Sequence, residues 1–242
     1  MTVEVRLLLW GTVRQWGWLL LGAIALVLCP RPLHAQTEPD PSMVQRVENA
    51  TFVLGEFSFG NQQRIPPRIL QRAQGIAIIP NVVQAGFLFG GRRGAGILLV
   101  RTDNNDWSKP AFITLTGGSF GLQIGAQSSD VVLAFMDKSV VMRSLAQSFR
   151  LGGNVSVAAG PVGGDIVNPT DPSPQVYSYT RNAGLFAGVA LEGATISFDR
   201  NANTRFYGQR NLTPTQIFEN AVPLPSPPVL NGLYNALGRA AR

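Results

Sequence analysis

Gly117-Gly118-Ser119-Phe120-Gly121 reproduces the G-x-S-x-G spacing of a nucleophile elbow. That chemistry needs a sharp strand-to-helix turn and a histidine to take the serine proton. The single histidine, His34, and the single cysteine, Cys29, both fall within the first 35 residues. A chain running from Gln36 therefore has neither imidazole nor thiol, which removes a Ser-His relay, a Cys nucleophile, a Cys/His zinc site and a stapling disulfide. Carboxylates remain, with Asp130, Asp165 and Glu192 the candidates for an acid pair. Asp199-x-Asn201-x-Asn203 opens like a calcium loop, but Thr204 stands where glycine is needed and Arg210 where the bidentate glutamate belongs, so it is read as a turn. The sequence calls for no cofactor, no metal and no enzymatic activity.

The other residues that could do chemistry are arginines. Residues 36–242 keep 17 Arg and Lys against 13 Asp and Glu, and fifteen of the basic residues are Arg. The planar guanidinium fork suits bidentate contact with phosphate. Arg64, Arg68 and Arg72 fall four apart, a basic stripe that is either a solvated edge or a phosphate contact. Arg92 and Arg93 sit in Gly90-Gly91-Arg92-Arg93-Gly94-Ala95-Gly96, read as a hairpin tip that either stays solvated or meets lipid phosphate.

The elements that must position these residues follow from periodicity. Arg6 and Arg14, the apolar run Trp16–Leu28 and the breakers Pro30 and Pro32 read as a signal peptide cleaved after Ala35, with an uncleaved anchor as the alternative, and send the chain to the periplasm or cell envelope. Met43, Val47, Ala50, Leu54 and Phe57 recur at helical steps, with Ser42 as the expected cap and Arg46 and Glu48 on a solvated face. Pro66, Pro67 and Gly75 bracket a second, short helix. Short apolar segments punctuated by glycine then predict strands at 76–79, 85–89, 95–101, 111–116, 119–124 and 131–136. A helix capped by Asp137 and running through Phe149 precedes strands at 155–159, 176–181, 185–191 and 195–198, and a last helix lies near 229–237. The fold class is α+β, mainly β: a curled antiparallel sheet or barrel with flanking helices. On the strand Val176–Arg181, Tyr177 and Tyr179 are read as core.

Several of these segments, in order, resemble the SYLF domain: Gly75–Pro80, Ala85-Gly-Phe87, the Gly90–Gly96 glycines, Trp107-Ser-x-Pro-Ala-Phe112, Gly121–Gly125, Ala159–Gly163, Tyr177-Ser-Tyr179 and Gly184–Gly188 with Leu191-Glu-Gly193. The resemblance runs from about Arg64 to Gly208. It divides the chain into a leader (1–35), a helix and linker (36–63), a SYLF core (64–208) and a Pro-rich C-terminal segment with a helix (209–242). Eukaryotic SYLF proteins, including SH3-bearing yeast actin regulators, bind phosphoinositides, and bacterial relatives are typically exported or lipid-anchored single domains. The resemblance implies non-catalytic binding to anionic phospholipid through Arg64, Arg68, Arg72, Arg92, Arg93 and the retained Arg181. Gly164, Asn182 and Ala183 depart from the basic residues the family often carries nearby. The alternative is a structural or assembly protein docking onto an envelope protein. Nucleic acid is not expected for an exported chain, and neither is actin binding.

Overall fold

A computed structural model describes residues 38–59, 65–153, 155–161, 174–182, 185–187, 191 and 193–242. The expected leader, Arg64, Asp165, Glu192, Gly164 and Ala183 lie outside the described residues. The first helix, α1 (Pro41–Phe59), buries Met43, Val47, Ala50, Val53, Leu54 and Phe57 along one stripe. Each large apolar side chain taken out of water in this way contributes about 1.5–3 kcal/mol. The residue that accepts from the first turn is Asp40, not Ser42: its Oδ1 accepts from the Ser42 N–H at 2.9 Å and from the Ser42 hydroxyl. Pro41, which has no N–H to satisfy, takes the first helical position. Arg46 is not on a solvated face; it lies 3.5 Å from Asp199 and over the Phe112 ring.

After α2 (Pro67–Arg72), the expected run of six short strands is two long ones, β1 (Gly75–Val100) and β2 (Ala111–Phe135). They pair antiparallel from Gly75↔Phe135 to Leu98↔Ala111, with register shifts at Ile79/Val82 and Gly86/Leu88. Stretched straight, 26 residues of β1 would reach about 86 Å, against a radius of gyration of about 17 Å for a domain of this size, so the ribbon must curl. It curls until it meets itself: Gln74 N–H donates to Phe135 O, and Arg101 N–H donates to Gln74 O. Where the second half of β1 crosses the first, a Cβ on Gly96 would sit 2.2 Å from Ile78 O, and one on Gly94 would sit 2.7 Å from Val82 Cγ2. Gly90–Gly96 is therefore not a hairpin tip. These residues lie inside β1, paired across to Ile113–Ser119, and Gly94 and Gly96 clear the crossing.

β2 is the hub of the sheet. Besides β1, it pairs with β5 (Val176–Asn182) over Ser129–Phe135 and with β7 (Thr195–Phe198) over Ile113–Thr116. β3 (Phe149–Arg150) and β6 (Leu185–Ala187) extend this antiparallel sheet, while β4 (Val157–Ala159) joins β5 in parallel. Ile76–Ile79, Ile97–Val100 and Val131–Phe135 are buried as unbroken runs, because helices cover the ribbon. Four helices complete the unit: α3 (Lys138–Gln147), α4 (Arg200–Tyr207), α5 (Pro214–Phe218) and α6 (Val229–Ala240), the last packed along α1. Asp137 caps α3 as expected, accepting from Ser139 N–H at 2.8 Å. The Asp199-x-Asn201-x-Asn203 stretch is helical, not a turn, because Asp199 caps α4 by accepting from Ala202 N–H. The α+β reading with a curled sheet and flanking helices holds, and Glu38–Arg242 form one compact unit.

Candidate binding site

α2 holds its arginines outward. Ile69 and Leu70 are buried, while Arg68 and Arg72, one turn apart, are exposed. The helix is braced from below by Arg101, whose guanidinium donates to Leu70 O and Ala73 O at its C-terminal end and stacks 4.0 Å over the Trp107 ring. A cation at the carbonyl end of a helix opposes its dipole favourably.

Arg92 and Arg93 diverge, as successive residues of a strand must. Arg92 is half-buried, its Nε lacks a hydrogen-bond partner, and burial pulls its pKa down. Arg93 is exposed and lines a cleft of about 1270 Å³. Arg181 faces inward. It donates to Glu56 at 2.6 Å and Asp130 at 2.8 Å, and Asp130 also accepts from Asn81 N–H. Burial pulls the Arg181 pKa down, and the bonds from Asp130 and Glu56 more than reverse this, leaving it raised. Its charge is spent on two carboxylates, and it does not line the cleft with Arg93.

The cleft is walled by Met142 and Leu145 of α3, Phe198 of β7, Arg200 and Asn201 of α4, and the Asn211–Thr215 segment. Local rules place its polar groups. Asp199 caps α4 and turns Arg200 and Asn201 into the cleft, and the Thr213–Gln216 capping box starts α5 beside them. Asp199, the acid of the lining, is engaged by Arg46 and the Ala202 N–H. The sequence points to Arg93 but not to Arg200, Asn201 or Asn211; the one signal near them, Asp199-x-Asn201-x-Asn203, reads as a turn and carries no hint of a cleft. Ser119, the would-be nucleophile, is in mid-strand, paired with Gly90. Among the described residues no cluster of three His, Cys, Asp or Glu side chains forms a metal site, and no helix is long and apolar enough to cross a membrane.

Residues 116–240 match the family model for Ysc84, described as Las17-binding protein actin regulator. The chain belongs to the Ysc84 (SYLF) family. Protein YSC84 of Saccharomyces cerevisiae is 38% identical over 202 residues, which is 81% of this chain and 42% of that protein. LAS seventeen-binding protein 3 from the same yeast is 36% identical over 214 residues, 86% of this chain and 44% of that protein. SH3 domain-containing YSC84-like protein 1 of Xenopus laevis is 36% identical over 191 residues, 74% of this chain and 56% of that protein. The chain thus spans about half the length of the Ysc84 relatives it matches. The family's description and these names are those of binding and regulatory proteins. They correct the expectation that actin binding is not to be looked for: one relative is named for binding LAS seventeen, and the family is described as a Las17-binding actin regulator.

Proposed function

We propose that this Ysc84-family chain is a non-catalytic binding module whose exposed arginines engage anionic phospholipid. The observation that carries the reading is an asymmetry of pairing. The carboxylates of Asp40, Glu56, Asp103, Asp130 and Asp199 are each paired with a basic side chain of the same molecule. Arg72, Arg93, Arg200 and Arg210 are exposed and have no ion pair among the described residues. Four exposed carboxylates among them, Glu38, Glu48, Asp106 and Glu219, are also without an ion pair, but with Arg150 and Arg242 the exposed unpaired arginines outnumber them, so the unpaired charge facing solvent is net positive. Near an anionic surface each such cation contributes about 1 kcal/mol, in a salt-sensitive way. Co-sedimentation of the full chain with phosphatidylglycerol vesicles across a salt series tests this; binding that ignores either salt or lipid charge refutes it.

The apolar run Trp16–Leu28 supports delivery by export, with Gln36 as the first residue of the processed chain. N-terminal sequencing of chain purified from its native host checks this, and a start at Met1 or Thr2 counts against it.

The relatives' names favour a second reading, recruitment of a Las17-like protein by the same module. Its signature is co-precipitation with purified Las17 at fixed stoichiometry without lipid. Capture that needs vesicles favours the first reading.

A further inference from the structure

We infer that the cleft bounded by Arg93, Arg200 and the apolar walls of α3 and β7 seats a single phosphate-bearing amphiphile. The inference rests on the lipid reading above and adds a site for one molecule where that reading has only a surface. At about 1270 Å³ the cleft is larger than the roughly 300–1,000 Å³ usual for small-molecule pockets, so it has room for a headgroup and part of a chain. Its lining sorts by chemistry. Arg93 and Arg200 bring two exposed guanidiniums to one cavity, and a guanidinium is the side chain best suited to hold a phosphate monoester. Met142, Leu145 and Phe198 offer an apolar surface that inorganic phosphate would leave unused. Asp199 repels an anion little, since Arg46 stands 3.5 Å from its Oδ2 and its Oδ1 accepts from Ala202 N–H at 3.0 Å. The two arginines come from β1 and α4, more than 100 residues apart in sequence, and β2, which pairs with both β1 and β7, ties their supports together.

Isothermal titration of the full chain with dodecyl phosphate, kept below its micelle concentration, tests the site. Saturable binding of one molecule per chain is expected. R93Q/R200Q is expected to weaken it by at least about tenfold, the loss of one charge-assisted bond or more. Met142→Asp, which puts an acid on the apolar wall, should weaken it as well, whereas Arg239→Gln, away from the cleft, should not. Thermal unfolding of each variant separates loss of the site from loss of the fold. Unchanged affinity in R93Q/R200Q, equal affinity for inorganic phosphate, or equal affinity for uncharged dodecyl maltoside would each overturn the inference. Vesicle sedimentation of R68Q/R72Q separates the two proposals. Loss there with intact dodecyl phosphate binding leaves both standing. A wild-type chain that takes the probe but ignores anionic vesicles fails the surface reading alone.

Discussion

The side-chain amide of Asn203 stands in for a neighbouring strand beside Phe112. Phe112 N–H donates to Asn203 Oδ1 at 2.9 Å, and Asn203 Nδ2 donates back to Phe112 O at 2.9 Å. This pair fastens α4, a wall of the cleft, to β2 in a place where Asn203 is fully buried. In Asn203→Ala, Phe112 O keeps the Asp199 N–H, but the Phe112 N–H is left buried without a partner. The expected loss is roughly 1–3 kcal/mol of unfolding free energy, read as a lower urea midpoint at unchanged slope. A midpoint equal to wild type would show that water reaches the orphaned donor.

Gly160 and Tyr179 meet in the same way as two surfaces with no room between them. A Cβ on Gly160 would fall 2.1 Å from Tyr179 Cζ, on a ring that is buried. Gly160→Ala must move either the ring or the backbone bonded at Ser178 O, and is expected to destabilise by about 1–3 kcal/mol. Tyr179→Phe removes a buried hydroxyl that lacks a partner and is expected to be neutral or slightly stabilising. A clear loss in Tyr179→Phe, measured by thermal melting, would mean the hydroxyl is bonded in solution.

These two contacts mark where the sequence was legible and where it was not. Local signals were readable: the apolar steps of α1, Asp137 before α3, and the alternation that gave 195–198 as β7. Glycine misled, because local rules treat it as a chain breaker. Gly94 and Gly96 are needed where β1 passes over Ile78, Ile79 and Val82, a crossing that exists only in three dimensions. α4 was missed because Asp199, Asn201 and Asn203 are turn formers by propensity, and their helical placement depends on Asp199 as cap and Asn203 as tether to β2. Of the candidate site, Arg93 was legible as an arginine in a glycine-rich setting. Its convergence with Arg200 depends on strand register that spacing alone does not encode.

Acid should expose the Asp40 contact. Hydrogen bonds from the Ser42 hydroxyl and from Arg205 lower its pKa from 3.8 to about 2. A carboxylate depressed on folding adds stability above its unfolded pKa and loses it as pH falls through the folded one. The window is thus from about 4 down to about 2. The group is exposed, so the contribution is small and screened by salt. Asp40→Asn is expected to flatten the stability profile across that window in low-salt chemical denaturation. A slope identical to wild type would show the contact is not held in solution.

Arg181 separates structure from binding. With Arg181→Gln, Asp130 and Glu56 lose their shared cation, and Asp130 cannot relax fully because it is largely buried. A loss of about 2 kcal/mol in urea unfolding is expected, with vesicle binding per folded molecule unchanged. Normal stability with abolished vesicle binding would instead make Arg181 a lipid contact.

The most direct test of the central claim is sedimentation of the full chain with vesicles of increasing phosphatidylglycerol content, comparing wild type with R68Q/R72Q/R93Q at low salt. Three cations at about 1 kcal/mol each predict a loss of about two orders of magnitude in partition coefficient, and wild-type binding that fades as salt rises. Equal partitioning of the two proteins, or equal binding to neutral phosphatidylcholine, would contradict the account.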